Sequence, residues 1–291
     1  MANRKVLVTG SAGFIGRALN ERFRSEAVEF IECDLTNGHD LLDLKQTLAL
    51  PPAEIVVHLA ANTNVQTAFE QPYPIYRDNI IGTLNLLEYC RLNRIGRFIY
   101  SSSYVYGQPR SLPISESHPV MINNPYGRSK LFGEQLVAAY SEDFGLAASI
   151  LRNFNVYGRG QNQRFLIPSI IEQLYSDAPV IKVTDLAPKR DYVYIKDIVE
   201  AIWRCCLSTA TGARIYNIGY GASFSVGEAL ELIFKVSGRR KPVETAGATR
   251  KNEIADTVAD ISKAVRELGW CPQFDFAAGL TDLLRAEGRL K

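Results

Sequence analysis

The chain of 291 residues has few of the residues that build metal sites and disulfide frameworks. It has only three histidines, His39, His58 and His118, and none stands at ligand-like spacing from a cysteine or a carboxylate. The five cysteines are an odd number at irregular spacing, which fits reduced thiols better than paired disulfides. We therefore expect no metal site, and we expect a cytoplasmic protein.

Long hydrophobic runs and an excess of charge of one sign are also missing. The longest uncharged apolar stretches, such as residues 55–61, are far shorter than the ~20 residues that cross a bilayer. Lys and Arg total 33 against 31 Asp and Glu, so the formal net charge is +2. We therefore expect neither a nucleic-acid nor a membrane partner, and the short lead into a strand near residue 6 predicts no secretory signal.

Short β-branched runs alternate with longer helical patterns in the first half of the chain. Strands are predicted at 5–9, 28–33, 54–59, 97–101 and 146–152, and helices at 14–24, 73–93 and 126–144. This alternation predicts a parallel sheet covered by helices on both faces. After residue 157 the pattern is less regular, with helices near 168–175, 226–236 and 277–285 and strands near 180–183 and 214–218.

These patterns predict an α/β fold, a Rossmann-type doubly wound parallel sheet with a smaller C-terminal α+β substrate domain. The dinucleotide-binding domain is predicted to comprise residues 1–156, with a return segment at about 178–205. Residues at about 157–177 and 206–291 are predicted to form the substrate domain.

A glycine-rich turn follows the first predicted strand. Gly10, Gly13 and Gly16 are spaced GxxGxxG, one residue longer in the first gap than the standard dinucleotide fingerprint GxGxxG. Glycine permits a tight bend and the close approach of a diphosphate, and the following helix offers free N–H groups and a partial positive charge. Between a strand and a helix, the motif predicts a dinucleotide cofactor. The alternative is a plain tight turn.

Asp34 ends the second predicted strand, 18 residues after Gly16. A carboxylate there accepts hydrogen bonds from adenosine ribose hydroxyls and repels a 2′-phosphate, so NAD is favoured over NADP. The alternative is a solvated aspartate at a strand end. Asp40 and Leu41 follow in a loop placed to contact the adenine, although Asp40 is unusually close to Asp34.

Tyr126 and Lys130 lie at i and i+4 of a predicted helix, one turn apart on the same face. A free tyrosine has a pKa of ~10, and a nearby lysine cation lowers that pKa toward the range of a useful general base. By itself the spacing is common in exposed helix pairs. Ser102, in the serine run that ends a predicted strand, lies where an open parallel sheet places its ligand.

The order of these motifs resembles the extended short-chain dehydrogenase/reductase family, specifically its nucleotide-sugar epimerases, dehydratases and reductases. The resemblance runs through nearly the whole chain. It rests on GxxGxxG, on S-x-x-V-Y-G at 102–107, on Y-x-x-x-K, and on further segments at 58–61, 79–83, 151–158, 190–197 and 268–270. It implies NAD as cofactor, a nucleoside-diphosphate sugar as substrate, and a homodimer.

The resemblance also implies roles for single residues. Tyr126 would be the general acid/base, Lys130 its tuner and a ligand of the nicotinamide ribose, and Ser102 a partner of the reacting sugar hydroxyl. Asn79 would brace the strand that carries Ser102. The implied cofactor-binding residues are Gly10, Gly13, Phe14, Ile15, Gly16, Asp34, Asp40, Leu41, Leu59, Ala60, Ala61, Tyr126 and Lys130. The implied substrate-binding residues are Ser102, Ser103, Tyr104, Asn155, Arg190 and Arg250, with the arginines on a diphosphate.

Several functions remain open at this point. Family dehydratases carry an acidic residue two positions after the catalytic hydroxyl, where this chain has Tyr104, so a 4,6-dehydratase is disfavoured. At Tyr104 the sequence resembles the deoxysugar ketoreductases. An NAD(P)H-dependent reductase of nucleotide-4-keto-6-deoxysugars is therefore the alternative function. A non-catalytic binding module is disfavoured because Ser102, Tyr126 and Lys130 are all present.

The expected function is an NAD-dependent nucleotide-sugar epimerase that acts at C4 through a transient keto-sugar. Residues 184–190 depart from the glycine-containing hairpin usual in the family, which leaves the contacts to the base and sugar undetermined. Neither the base nor the sugar follows from the sequence.

Overall fold

The computed structural model describes residues 4–64, 68–247 and 253–290. Its strands are β1 (Val6–Thr9), β2 (Phe30–Cys33), β3 (Ile55–His58), β4 (Arg97–Ser103), β5 (Ala148–Asn153), β6 (Asn155–Tyr157), β7 (Ile181–Val183), β8 (Lys189–Arg190), β9 (Tyr192–Tyr194), β10 (Ala213–Ile218), β11 (Phe224–Ser225) and β12 (Val243–Thr245). Its helices are α1 (Phe14–Ser25), α2 (Leu44–Leu48), α3 (Pro72–Leu92), α4 (Pro125–Phe144), α5 (Leu166–Tyr175), α6 (Ile195–Leu207), α7 (Val226–Ser237), α8 (Ser262–Leu268) and α9 (Phe276–Ala286). The elements predicted from the sequence are present, with ends that differ by a few residues.

The central sheet is parallel, and its strands lie in the order β10, β5, β4, β3, β1 and β2. Val6 and Val8 of β1 pack on one face of this sheet, and Leu7 packs on the opposite face. Helices α1, α6 and α8 cover the first face, and α3 and α4 cover the second. Because both faces are buried, the strands are apolar on both sides, and the predicted doubly wound α/β fold is confirmed.

A second core lies beside the sheet and is built from α5, α7, α9 and short strands. Strand β6 pairs with β9 and β7 with β12 in parallel, whereas β8 and β11 are antiparallel. Ile170, Leu230 and Leu280 are buried there, one from each helix. Apolar residues at helical spacing, such as Ile167 and Ile171 beside Ile170, explain which face α5 buries.

The position of β10 differs from the predicted limits of the substrate domain. The sequence assigns residues 206–291 to that domain, yet β10 pairs with β5, with Ile215 opposite Ile150, and extends the central sheet. The physical reason is burial on both faces, since Tyr216 and Ile218 face one core and Ile215 the other. Helix α8 packs on the same sheet. Within the predicted return segment, β7 pairs with β12 in the second core.

The strand order reverses between β1 and β3, because the chain continues to β2 on one side and to β3, β4 and β5 on the other. At such a switch point the loops leave the carboxyl ends of the strands in opposite directions and open a crevice. The fold therefore places the ends of β1, β3 and β4 around one space.

Candidate functional site

A cavity of about 1470 Å³ opens at the carboxyl edge of the central sheet. Its walls include the residues that follow β1, β2, β3 and β4 and the first turns of α1 and α4. The predicted site residues that line it are Gly10, Gly13, Phe14, Ile15, Gly16, Asp34, Asp40, Leu41, Leu59, Ala60, Ala61, Ser102, Ser103, Tyr104, Tyr126, Lys130, Asn155 and Arg190. Arg250 lies outside the described residues.

The glycine-rich turn forms one end of the cavity. Gly10 has φ +68°, in the left-handed region, and a Cβ at this position would lie 2.6 Å from the backbone N of Ala60. Gly13 is the N-cap residue of α1 and, having no side chain, leaves the helix without a side-chain cap. The N–H groups of the first turn are therefore available to an anion, which fits the diphosphate of a dinucleotide.

Asp34 joins the glycine turn to the loop after β2. Its Oδ2 accepts a hydrogen bond from the backbone N of Ala12 at 3.2 Å, and its Oδ1 accepts from the backbone N and Oγ1 of Thr36, both at 3.0 Å. The carboxylate is half-buried at the rim of the cavity. On the same rim, Asp40 Oδ1 accepts from the backbone N of Leu42 at 2.9 Å. Both carboxylates are thus held by backbone amides.

Helix α4 presents Tyr126 and Lys130 to the other end of the cavity. Pro125 begins the helix, and Oδ1 of the N-cap residue Asn124 accepts from the backbone N of Gly127 at 2.8 Å. Lys130 is 3% exposed, and its Nζ lies 4.4 Å from the centroid of the Tyr100 ring. Burial lowers the pKa of Lys130 to about 7.

The pKa of Tyr126 differs from the sequence-based expectation. We expected Lys130 to lower it, but burial raises the pKa of this phenol above its ordinary value, and a hydrogen bond with the Ser103 side chain only partly opposes that effect. The reason is that a phenolate loses more hydration at this cavity wall than nearby groups restore. A cation bound beside the ring would favour the phenolate.

The two serines that end β4 have different partners. Ser102 is 4% exposed, and its Oγ lies 2.5 Å from Oε1 of Glu134 on α4. The Ser103 side chain is close enough to Tyr126 to lower the pKa of that phenol in part. In the sequence analysis, Ser102 is predicted to contact the reacting sugar hydroxyl. The structure keeps Ser102 at the cavity wall, and its hydroxyl donates to Glu134.

Glu134 and Arg152 form a buried ion pair that the sequence reasoning missed. Arg152 Nε lies 3.0 Å and 3.1 Å from the two carboxylate oxygens, and Nη2 lies 2.6 Å from Oε2. The side chains of Arg152 and Glu134 are 5% and 4% exposed. Glu134 follows Lys130 by four residues, so the i, i+4 rule applied to α4 was the available signal. Arg152, the partner on β5, is not related to Glu134 by any such spacing in the sequence.

His58, at the end of β3, is a further site residue that was missed. Its Nδ1 and Nε2 lie 2.7 Å and 2.9 Å from the hydroxyls of Thr9 and Thr83. Burial and, to a lesser degree, the charge of Lys130 lower the pKa of His58 to about 3. The ring is therefore neutral near pH 7 and joins β1, β3 and α3 beneath the cavity floor.

Some of the predicted substrate-binding residues form hydrogen bonds or ion pairs with other groups of the protein. Arg190 forms an ion pair with Glu253, and its Nη1 donates to the backbone O of Ile254 at 2.6 Å. Asn155 is exposed at the cavity wall. Tyr104 Oη donates to the backbone O of Gly107 at 2.6 Å. Glu253 was not among the predicted residues, and it faces the cavity beside Arg190.

Asn79 braces a different element from the one expected. Its Nδ2 donates to Ser129 Oγ on α4 at 2.8 Å and to the backbone O of Asn62 at 3.1 Å, and its Oδ1 accepts from the backbone N of Asn62 at 2.7 Å. It therefore ties α3 to α4 and to the segment after β3, not to β4. Packing of α3 on α4 puts this amide next to Ser129.

Two further kinds of site are absent from the described ranges. No helix there is both long and apolar enough to cross a membrane. No cluster of three or more His, Cys, Asp or Glu side chains among residues 4–64, 68–247 and 253–290 is arranged to hold a metal ion.

Comparison with known proteins agrees with this site. The sequence profile of the NAD dependent epimerase/dehydratase family matches residues 6–219. The UDP-glucose 4-epimerase of Corynebacterium glutamicum is 32% identical, with 92% of this chain and 91% of that protein covered. The UDP-glucose 4-epimerase of Thermotoga maritima, solved with UDP-glucose, superposes with a TM-score of 0.90 at 26% identity and covers 98% of this chain and 99% of its own. RMD from Pseudomonas aeruginosa, complexed with NADPH, gives a TM-score of 0.90 at 28% identity over 99% and 100%.

The fold and the cavity thus define a dinucleotide-dependent enzyme of the extended short-chain dehydrogenase/reductase class. More narrowly, this chain belongs to the NAD dependent epimerase/dehydratase family, and NAD is its cofactor. The residues present suit NAD, since the first turn of α1 offers amides to a diphosphate and Asp34 offers a carboxylate to a ribose. The family predicted from the motifs is confirmed.

Proposed function

We propose that this chain is a nucleotide-sugar epimerase that inverts C4 of a UDP-hexose, with gluco and galacto forms as the interconverted pair. The observation that carries the proposal is the convergence of Tyr126, Lys130 and the hydroxyl of Ser103 on the cavity that also contains the glycine turn and Asp34. The UDP-glucose 4-epimerases named above support a UDP-sugar as the substrate.

Tyr126 is the proposed proton acceptor and donor. When bound, NAD supplies a hydride acceptor that becomes the donor of the same hydride. Tyr126 Oη takes the C4 hydroxyl proton while the C4–H bond breaks and the carbonyl forms, and it returns the proton once the keto-sugar has presented its other face. Lys130 lies one turn along α4 and stabilises the Tyr126 phenolate while the proton is on the sugar hydroxyl. The cycle needs no net reductant.

The diphosphate of the substrate is proposed to bind near Arg190, Asn155 and Arg250. A guanidinium has five N–H donors. Within the described chain, three contacts from Arg190 go to protein groups, namely Lys189 O, Ile254 O and Glu253. Donors therefore remain for phosphate oxygens, and the cation is already held in place at the cavity wall.

We further propose a homodimer formed by the apolar outer faces of α3 and α4. Ile81 is 38% and Phe132 is 43% exposed, and the Tyr76 and Phe132 rings lie 6.3 Å apart between the two helices. Exposed apolar groups in adjacent positions are typical of an interface. Sedimentation velocity should give a dimer for the parent chain and a monomer for Phe132→Glu.

The proposed location is the cytoplasm, and the proposed architecture has two domains. Free thiols at all five cysteines support a reducing compartment. The domain limits proposed from the sequence are changed in two respects. Strand β10 and helix α8 are assigned to the dinucleotide-binding domain because they pack on its sheet. Strand β7 is assigned to the substrate domain because it pairs with β12 in the second core.

The function is tested by incubating the purified chain with NAD and either UDP-glucose or UDP-galactose, without a reductant, and separating the sugars by chromatography. We expect both sugars to give the same final mixture, and we expect Tyr126→Phe to abolish most of the conversion. The alternative is the ketoreductase suggested by Tyr104. The structural similarity to RMD complexed with NADPH also supports this alternative. It would be shown by consumption of a 4-keto-6-deoxysugar in step with loss of NADH or NADPH, with no epimerisation.

A further inference from the structure

We propose that Asp191, a buried residue behind the cavity wall, sets the affinity for the substrate diphosphate by holding Arg190 in place. Its carboxylate fixes two segments, residues 219–221 and 253–259, against β8 and β9. The proposal rests on the nucleotide-sugar function above, because the diphosphate is part of that substrate. Asp191 is therefore a positioning residue that acts through Arg190.

The Asp191 side chain accepts hydrogen bonds from three backbone amides and is 0% exposed. Its Oδ1 accepts from the N of Tyr220 at 2.5 Å, and its Oδ2 accepts from the N of Gly221 at 2.9 Å and of Ala259 at 3.0 Å. Hydrogen bonds to a charged group are short and strong, and a buried charge without partners is costly. The carboxylate therefore ties two distant segments of the chain to the start of β9.

This carboxylate has space only because residue 219 is a glycine. A Cβ at Gly219 would lie 2.8 Å and 3.0 Å from the two carboxylate oxygens and 2.6 Å from the Cβ of Ala259. Contacts this short do not occur in a packed interior, so a side chain at this position would displace Asp191 or Ala259. The close approach lets the amides of residues 219–221 reach the carboxylate.

The second of the two segments holds the Arg190 guanidinium. Arg190 Nη1 donates to the backbone O of Ile254 at 2.6 Å, and Nη2 pairs with Glu253. The backbone N of Lys189 also donates to the O of Ala255 at 2.8 Å. Glu253 and Ile254 line the cavity beside Arg190. A shift of this segment would therefore move the guanidinium relative to a bound diphosphate.

The main chain of Asp191 contacts a second residue assigned to the diphosphate. Its backbone O accepts from the N of Asn155 at 3.0 Å, so Asn155 and Arg190 are joined through one residue. The groups assigned to NAD, namely the glycine turn and Asp34, follow other strands, β1 and β2. Loss of the Asp191 carboxylate should therefore weaken diphosphate binding and leave NAD binding unchanged.

The dissociation constant of UDP, measured by calorimetry on the full chain with NAD bound, tests this proposal. Burial raises the pKa of Asp191 to about 6, so the group is a carboxylate in an assay at pH 8. In Asp191→Asn the side-chain NH2 must face at least one of the three amides, which then has no acceptor. We expect UDP to bind about 10- to 150-fold more weakly, the range for one hydrogen bond to a charged group. In turnover, KM for a UDP-hexose should rise by the same factor with kcat retained.

Asp197→Asn is the matched control. Asp197 is also a buried carboxyl group, 2% exposed, and it accepts from the backbone N of Gln273 at 2.8 Å and of Phe274 at 3.3 Å. These two partners border a different cavity. Both substitutions should lower the free energy of unfolding, but only Asp191→Asn should weaken UDP binding.

A double variant tests whether Asp191 acts through Arg190. Arg190→Ala removes the guanidinium, so adding Asp191→Asn to that variant should not weaken UDP binding further. If the two substitutions weaken UDP binding independently, their effects multiply in the double variant, and the proposal is overturned.

Gly219→Ala is a second perturbation, for use if Asp191→Asn does not fold. It keeps the carboxylate but crowds it, so it should also weaken UDP binding and leave NAD binding unchanged. Gly227→Ala is its control, because a Cβ there would lie an ordinary 3.7 Å from the backbone O of Leu186.

An unchanged UDP affinity in folded Asp191→Asn overturns the proposal, and so does equal weakening by Asp197→Asn. If Asp191→Asn does not fold, an unchanged UDP affinity in Gly219→Ala overturns it. A parent chain that binds UDP but epimerises no UDP-hexose contradicts the proposed function and leaves this test intact.

Discussion

Replacing His58 by glutamine should give a stability penalty that depends on pH. Burial between Thr9 and Thr83 lowers the pKa of His58 from 6.5 to about 3. The folded chain thus keeps the imidazole neutral over the range in which an unfolded histidine becomes protonated. The stability that this ring contributes is present above pH 6.5 and is lost progressively as the pH falls toward 3.

The magnitude follows from the two pKa values. Between pH 7 and pH 5 an unfolded histidine takes up most of a proton, whereas folded His58 takes up almost none, which lowers the free energy of unfolding by about 2 kcal/mol. This figure is insensitive to the folded pKa, because pH 5 is still well above about 3. His58→Gln should cost about 1–3 kcal/mol at pH 7 through lost buried hydrogen bonds. That penalty should shrink by about 2 kcal/mol at pH 5.

The assay is urea unfolding of the parent and of His58→Gln at pH 7, 6 and 5. The difference between the two chains is the useful quantity, because burial raises the pKa of Asp191 and Asp197 to about 6 and these carboxyls stabilise the fold on acidification. Their contribution cancels in the difference. His118→Gln, at a half-buried histidine elsewhere, controls for the substitution itself. A penalty that stays constant from pH 7 to pH 5 would refute the reasoning.

Three further predictions concern the proposed reaction. Tyr126→Phe should lower kcat by ~10²–10⁴-fold with cofactor binding retained, as is usual when a general acid/base is removed, and near-normal turnover would exclude this residue from the mechanism. The parent should bind NAD more tightly than NADP in a fluorescence titration, and Asp34→Ala should narrow the gap because the charge that repels a 2′-phosphate is gone. Equal affinities in the parent would show that Asp34 does not contact the ribose. Arg250→Ala should weaken UDP binding by about 1.5–3 kcal/mol in calorimetry and leave NAD binding unchanged, and an unaltered UDP affinity would mark Arg250 as an ordinary surface charge.

The features that the sequence determined by itself are those set over short distances along the chain. Alternating strands and helices predicted the parallel sheet, because side-chain periodicity reports which faces an element buries. The glycine turn between β1 and α1 could be identified because the bend needs glycine at fixed positions, such as Gly10 with its φ of +68°. Tyr126 and Lys130 could be paired because residues four apart share one helix face.

Only the tertiary structure decided which distant groups meet. The apolar pattern of β10 fits a strand in either domain, and its pairing with β5 depends on a register between segments far apart in sequence. Ser102 and Glu134 are 32 residues apart, and only the packing of α4 on β4 and the arrival of Arg152 on β5 direct the serine hydrogen to that carboxylate. His58 likewise looked unpaired until β1 and α3 brought two threonine hydroxyls to its ring. Geometry over a short stretch of chain can be inferred from the spacing of residues. The direction of a buried hydrogen bond depends instead on every charge packed around it.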